Sequence, residues 1–173
     1  AALKINLATL FKLGLFDTGN PYSKLDETVV DNAAHRLLAR QIAAQSMVLL
    51  SNKNNVLPLS KNINHVLVTG PNAAVSNVLV ANYNGTSSKC VNFLEGITGS
   101  VSASTIISYN QGCSLTDTTM QNVYWQINDA DAVVAVMGLS PLLEGENGDA
   151  YLSEAGGDKK DIHFPYAQLK YLR

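Results

Sequence analysis

The chain has 173 residues, of which 46% are hydrophobic and 15% are charged, and its formal net charge is −2. This apolar content can bury one core, so we expect one domain, with an additional arm at one end. The charge balance provides no basic surface for phosphates, which argues against a nucleic-acid partner. The longest apolar stretches, such as residues 132–139, are far shorter than the ~20 residues that cross a bilayer, so we expect no membrane partner.

The first part of the chain is predicted to contain two helices joined by a connection. The opening helix has one apolar face, formed by Leu3, Leu7, Leu10 and Phe11. Gly14 ends this helix, and residues 16–30 lack helical periodicity, which indicates a surface connection. Asp31 is predicted to be the N-cap of the second helix. The apolar residues of the second helix are Leu37, Leu38, Ala44, Met47 and Val48.

The remainder of the chain is predicted to alternate strands and helices. Three short strands are expected at residues 66–69, 105–109 and 132–137. A helix with Asp117 or Thr118 as its cap is expected to run to about Asn128. The third strand is mainly Ala and Val, which indicates burial on both faces of a parallel sheet. The pattern favours the α/β class, a layered sandwich with mostly parallel strands.

Residues 138–163 form a Gly-rich loop after the third strand, where open α/β sheets usually bind ligands. Its carboxylates are Glu144, Glu146, Asp149, Glu154, Asp158 and Asp161. They could supply a general acid, hold a metal or be ordinary solvated charges, but the spacing of an EF-hand calcium loop is absent. Glu144 and Glu146 are two residues apart and would face the same side of an extended loop. Each could then raise the other's affinity for a proton, as a general acid requires.

Several other residues have more than one interpretation. Cys90 and Cys113 fit neither a metal nor a redox spacing, so they are two free buried thiols or, in a secreted protein, a disulfide. Residues 84–86 form an N-glycosylation sequon, which has meaning only in a eukaryotic secretory pathway, so we interpret them first as an ordinary loop sequence. Tyr83 and Trp125 are expected to pack in the core or against loops, although Tyr83 could be a sugar platform. The three histidines, His35, His65 and His163, are expected to be structural.

Ordered motifs along the chain resemble one known family. They include "FKLGLFD", "AAQSMVLLSNKNNVLPL", "VLVTGPNA", "NYNGT", "VVAVMGLSPLLEGENGDA", "GGDKKDI" and "FPYAQ". In this order they resemble glycoside hydrolase family 3, particularly its β-xylosidase and β-glucosidase branch. The resemblance extends from about Phe11 to Gln168. The family usually has Arg where this chain has Lys159, which argues against a bidentate contact by that side chain.

The resemblance implies an architecture in which a (β/α)8 barrel precedes an α/β sandwich. Residues 1–30 would then be the last barrel helix and a linker, and residues 31–173 an incomplete sandwich domain. The chain begins and ends inside helical patterns, so we expect it to be a piece of a longer polypeptide. The nucleophilic aspartate of the family would lie in the barrel.

The resemblance also implies the chemistry, retaining exo-β-glycosidase action on a glycoside or small oligosaccharide. Glu146 is the expected acid/base, with Glu144 as the second candidate. No cofactor or metal is expected, the main partner is the barrel, and the parent enzyme is expected to be secreted or periplasmic. The alternatives are a non-catalytic carbohydrate-binding or scaffolding module and, less favoured, a nucleotide-binding domain, for which the spaced glycines are missing.

Overall fold

The protein is described from a computed structural model that covers residues 1–83, 85 and 87–173. The chain forms two compact units, Ala1–Ser51 and Asn52–Arg173. The assignment of residues 1–30 to a barrel and linker stays a prediction. Asn84 and Thr86 of the sequon lie outside the described residues.

The first unit contains two α-helices and two short 3-10 turns. The helices are α1 (Ala2–Lys12) and α2 (Ala33–Ser46), and the turns are Pro21–Lys24 and Glu27–Val29. The predicted opening helix is therefore confirmed, as is the irregular connection after it. The second helix ends earlier than its apolar pattern indicates, because Met47 is its extended C-cap residue and Val48 follows it.

The predicted cap of α2 is wrong by one residue. The side chain of Asn32, not Asp31, accepts the hydrogen bond from the backbone N–H of His35, at 2.9 Å. Asp31 has a φ of 50°, and its carboxylate lies 3.1 Å from the guanidinium of Arg36. Asn and Asp are equally good N-caps, so residue type alone does not distinguish adjacent candidates.

The second unit is an α/β structure built on a parallel sheet. Its elements are β1 (His65–Thr69), α3 (Phe93–Thr98), β2 (Ile106–Asn110), α4 (Tyr124–Asp129), β3 (Ala132–Ala135) and α5 (Tyr166–Tyr171). The strand order is β2-β1-β3, and both pairings are parallel. The predicted fold class is confirmed.

The core is centred on β1, which is buried along its whole length. Val66 and Val68 pack with Ala73 and Val136. The prediction that the third strand is buried on both faces is wrong, since Val133 of β3 is 43% exposed. In the described sheet, β3 pairs only with β1, and the central position belongs to β1.

Two short helices differ from their predictions. Helix α4 begins at Tyr124 and is not capped by Asp117 or Thr118. The carboxylate of Asp117 instead accepts a hydrogen bond from the N–H of Thr119 at 2.8 Å, a local turn that competes with helix initiation. Helix α3 was expected only as an apolar segment. A reciprocal capping box between Asn92 and Glu95 begins it.

None of the helices in the described part of the chain has the length and hydrophobicity required to cross a membrane.

Candidate active site

The ends of the strands are held together where the chain leaves the sheet. The backbone N–H of Val136 donates to the carbonyl of Thr69 at 2.7 Å, and that of Gly70 donates to Gln111 at 3.1 Å. Gly70 has a φ of +111°, and a Cβ there would lie 2.7 Å from the carbonyl carbon of Val136. Glycine is therefore required at this position, both for its backbone conformation and for the space.

A buried glutamine fixes the first residue of the acidic loop. Gln168 of α5 is 0% exposed. Its Oε1 accepts from the N–H of Gly138 and its Nε2 donates to the carbonyl of Gly138, each at 2.8 Å. Asn72 also donates to the carbonyl of Leu139 at 2.9 Å. The loop therefore begins from a fixed backbone position, where the N–H and carbonyl of Gly138 and the carbonyl of Leu139 all have hydrogen-bond partners.

Beyond this start, the loop of residues 138–163 contains neither helix nor strand, as expected. Leu143 and Ala150 are buried and anchor it. The N–H of Leu152 donates to Leu142 at 2.9 Å, and that of Gly148 donates to Gly156 at 2.7 Å. The loop therefore folds back on itself and is held by backbone hydrogen bonds between its own residues.

Glu146 lies on the exposed part of this loop. Its Oε1 accepts a hydrogen bond from the hydroxyl of Tyr83 at 2.9 Å. None of the ion pairs among residues 1–83, 85 and 87–173 includes Glu146. The carboxylate is thus accessible, and its location after the third strand is the one that the sequence predicts.

Glu144 has a different environment. It is partly buried, and its Oε2 accepts from the backbone N–H of Lys159 at 2.6 Å. It also lines a cleft of about 480 Å³ together with Phe164 and Pro165. The two glutamates therefore bind different parts of the chain. The role of either one as acid/base stays a prediction.

The two aromatic residues singled out in the sequence are on the surface. Tyr83 is 79% exposed and Trp125 is 78% exposed, so neither packs in the core. For Tyr83 the structure agrees with the other expectation, a contact with a loop, through its hydrogen bond to Glu146. Trp125 forms an edge contact with Tyr124, with ring centroids 5.9 Å apart. The hydrogen bond to Glu146 and the negative charge of Glu146 raise the pKa of the Tyr83 phenol, so Tyr83 keeps its proton as a donor.

Lys159 contacts residues of its own loop. Its Nζ donates to the carbonyl of His163 at 2.7 Å and lies 3.4 Å from the carboxylate of Asp161. The backbone N–H of His163 is the main cause that lowers the pKa of Asp161, and Lys159 adds to it. This ammonium therefore helps to order residues 159–163.

The histidines occupy structural positions, as expected. His35 lies in α2 and His163 in the acidic loop. His65 is buried at the start of β1, where Nδ1 is 3.0 Å from the carbonyl of Asp129 and Nε2 is 2.7 Å from the hydroxyl of Ser108. These contacts tie β1 to β2 and to the end of α4.

Both cysteines are free in the structure. Cys113 is buried, which raises its thiol pKa, whereas Cys90 is partly exposed. Of the two alternatives for these residues, the structure favours free thiols. The described residues contain no group of three or more His, Cys, Asp or Glu side chains that could hold a metal ion.

The sequence did not indicate the roles of Gln168 and Tyr83. Gln168 belongs to the "FPYAQ" motif, but residue type alone does not indicate whether a glutamine is buried or exposed. Its contact with Gly138 joins residues that are 30 apart in sequence, so no local pattern predicts it. Tyr83 and Glu146 are 63 residues apart. For the Tyr83–Glu146 contact, the available signal was that each of these two residues belongs to a loop expected beyond a strand of the sheet.

Comparisons with known proteins agree with this architecture. Residues 47–173 match the glycosyl hydrolase family 3 C-terminal domain. The chain is 34% identical over 178 residues to Beta-D-xylosidase 3 of Arabidopsis thaliana, covering 99% of this chain and 21% of that protein. It is 37% identical over 159 residues to Beta-xylosidase/alpha-L-arabinofuranosidase 1 of Medicago sativa subsp. varia, covering 86% of this chain and 20% of that protein.

Solved structures give the same result. A GH3 exo-β-xylosidase in complex with a xylobiose aziridine activity-based probe matches with a TM-score of 0.75 and 27% identity, over 94% of this chain and 20% of that one. A β-glucosidase from Listeria innocua in complex with glucose matches with a TM-score of 0.65 and 26% identity, over 94% of this chain and 21% of that one. The chain thus spans about a fifth of the length of these relatives. It belongs to glycoside hydrolase family 3, and residues 47–173 match the C-terminal domain of that family.

Proposed function

We propose that this chain is part of a retaining exo-β-glycosidase and supplies the acid/base carboxylate, Glu146. The observation that carries the proposal is the position of Glu146, exposed on the loop after β3 and bound to a tyrosine hydroxyl. A general acid must be accessible to its substrate and must exchange its proton, and the exposure of this side chain supports both.

Glu144 is the weaker candidate because it is partly buried, whereas Glu146 is exposed. The Oε2 of Glu144 accepts from the backbone N–H of Lys159, so this carboxylate also holds two parts of the acidic loop together. The partner of Glu146 is a neutral tyrosine hydroxyl, which can donate to one carboxyl oxygen whether or not the other oxygen carries the proton.

In the proposed reaction, Glu146 protonates the glycosidic oxygen while a second carboxylate attacks the anomeric carbon. Glu146 then removes a proton from the water that hydrolyses the glycosyl-enzyme intermediate. Retaining enzymes place the two carboxyl groups about 5 to 5.5 Å apart. We assign the nucleophile to an aspartate of the barrel that the family resemblance implies, in a parent enzyme that is secreted or periplasmic.

We propose a β-xyloside as the preferred substrate, with a β-glucoside as the second choice. This order is supported by the names of the relatives, since the Arabidopsis and Medicago proteins are both β-xylosidases and the match with the higher TM-score is an exo-β-xylosidase. The contacts that choose between the two sugars would lie mainly in the barrel.

We expect the isolated chain to be inactive. General acid catalysis contributes roughly 10²- to 10⁴-fold, a small part of the acceleration that glycoside hydrolysis needs. Both steps of retention also pass through the covalent intermediate, which requires the nucleophile.

The test is to assay aryl β-xyloside and aryl β-glucoside hydrolysis by the chain alone, by the barrel portion alone and by the full-length enzyme that contains both. We expect activity only where both parts are present, and a loss of at least about 100-fold in Glu146→Gln. Glu144→Gln is the matched control. An unchanged rate in Glu146→Gln would contradict the assignment, and a full-length protein that binds xylosides without hydrolysing them would favour the non-catalytic module.

A further inference from the structure

Two loops meet at Glu146. Its hydrogen bond with Tyr83 joins the end of the short 3-10 turn Ala81–Tyr83 to the acidic loop, across 63 residues of sequence. The neighbouring residues are also in contact, since a Cβ on Gly145 would overlap the side-chain amide of Asn82. The two loops therefore pack against each other at consecutive positions, and the contact of Tyr83 with Glu146 is part of that packing.

We propose that Tyr83 is a positioning residue that holds Glu146 in its reactive orientation through both protonation states. The inference rests on the proposed function of Glu146 as acid/base. Tyr83 itself does not transfer the substrate proton. It fixes one carboxyl oxygen, so the other oxygen is left to meet the glycosidic oxygen.

The choice of a hydroxyl partner has a chemical reason. An acid/base residue alternates between a carboxylic acid and a carboxylate during each turnover. A lysine or arginine partner would place a positive charge beside the carboxyl group and favour its charged form, whereas a neutral hydroxyl donates to one oxygen in both states and leaves the other oxygen to carry the proton. The raised pKa of Tyr83 agrees with this role, because the phenol keeps its proton while Glu146 is charged.

The first experiment tests the contact in the isolated chain. Tyrosine ring carbons are labelled, and the Tyr83 signal is identified by its loss in Tyr83→Phe. In Glu146→Gln, we expect Tyr83 to lose its proton at a lower pH than in the unmodified chain, because the negative charge of Glu146 is removed. Glu144→Gln is the control and should leave the titration of Tyr83 unchanged. Equal effects of both substitutions would overturn the proposed contact.

The second experiment tests the role in the full-length enzyme. An aryl glycoside with an activated leaving group, such as dinitrophenol, needs little protonation, whereas an alkyl glycoside needs it fully. We expect Tyr83→Phe to reduce kcat/KM, which reports the step that protonates the leaving group, by about tenfold for the alkyl substrate, the order of one hydrogen bond, and to change kcat/KM for the activated substrate about twofold at most. A general structural defect would reduce both rates equally.

The remaining variants separate the two proposals. Glu146→Gln should show the same dependence on leaving group, with a larger loss, and Tyr124→Phe, an exposed tyrosine of α4, should show none. If Glu146→Gln lacks this dependence, both the proposed function and the role of Tyr83 are overturned. If Glu146→Gln has it and Tyr83→Phe does not, only the role of Tyr83 is overturned.

Discussion

Strand β1 and the acidic loop are two regions of one domain with opposite construction. All five residues of β1 are buried, and the strand pairs with a neighbour on each side. The loop has only a few buried anchors, such as Leu143 and Ala150, and leaves Glu146 exposed. Apolar packing is nondirectional and holds a backbone in place, whereas a reactive carboxyl has to remain accessible. A rigid strand exit can therefore support an accessible residue a short distance along the chain.

The boundary between the two regions is fixed by hydrogen bonds from two buried polar side chains, a contact set that we call the polar lock. Gln168 and Asn72 bind the backbone of Gly138 and Leu139, so that the loop starts at a fixed place. Buried polar groups are costly unless they are paired, and here each of these contacts is a normal hydrogen bond of 2.8 or 2.9 Å. Substitutions on either side of this lock should therefore have very different consequences.

The largest effect is expected for Gly70→Ala, at the exit of β1. A Cβ would approach the carbonyl of Val136 at 2.7 Å or closer, and the φ of +111° is unfavourable for alanine. We expect a loss of about 4 kcal/mol in the free energy of unfolding, from backbone strain and overpacking together. Urea denaturation followed by circular dichroism measures it.

Gly148→Ala is the matched control in the loop. Gly148 also has a positive φ, +92°, but has nothing within 4 Å of the added carbon. Its cost should be only the backbone term, about 1 to 2 kcal/mol. Equal losses for the two variants would show that the close approach at Gly70 is not the decisive difference between the regions.

The second effect concerns the lock itself. Gln168→Leu keeps the side chain at a similar size but leaves the N–H and carbonyl of Gly138 without their partner. We expect a loss of about 2 to 4 kcal/mol, since two backbone groups become unsatisfied. Hydrogen exchange should also accelerate along the acidic loop. The exposed Gln121→Leu should change stability by less than about 0.5 kcal/mol. Retained stability in Gln168→Leu would contradict the lock.

The third effect separates the two glutamates within the loop. Glu144→Ala removes the acceptor of the Lys159 N–H and should reduce stability by about 1 kcal/mol. Glu146→Ala removes an exposed contact and should change stability by less than about 0.5 kcal/mol. Thermal unfolding of both variants measures the difference. The reverse order would indicate that Glu146, and not Glu144, supports the loop.

The sequence predicted the bounds of β1 and β2 far better than the first residues of the helices or the burial of β3. β1 and β2 lie within one residue of their predicted bounds, because apolar runs between turn residues are local signals. The cap of α2 was assigned to Asp31 and not Asn32, and α4 begins several residues after Asp117, because several polar residues compete to be caps. The exposure of β3 depends on strand order, which no local pattern contains.

In the candidate site, too, the features set by local sequence were predicted and the contacts between distant residues were not. The position of Glu146 on a loop after the third strand followed from the strand pattern and the motif. Its partner Tyr83 and the lock through Gln168 did not follow, because each contact joins residues that are at least 30 apart in sequence. Such pairings are decided by the packing of the whole domain.

The smallest expected effect is at Asp161, near the end of the acidic loop. The backbone N–H of His163, and secondarily Lys159, lower the pKa of this carboxyl. A lowered pKa in the folded state contributes stability above the ordinary aspartate value of about 3.9, and that contribution is lost as the pH falls through the folded-state pKa. Since Asp161 is largely exposed, solvent screens the contribution.

Carbon NMR of the labelled Asp161 carboxyl should give a titration midpoint below the ordinary value. In Lys159→Met the midpoint should rise slightly but stay low, because the His163 donor remains. A midpoint at the ordinary value in the unmodified chain would mean that the turn at residues 161–163 is not formed, and that local hydrogen bonds do not order the loop.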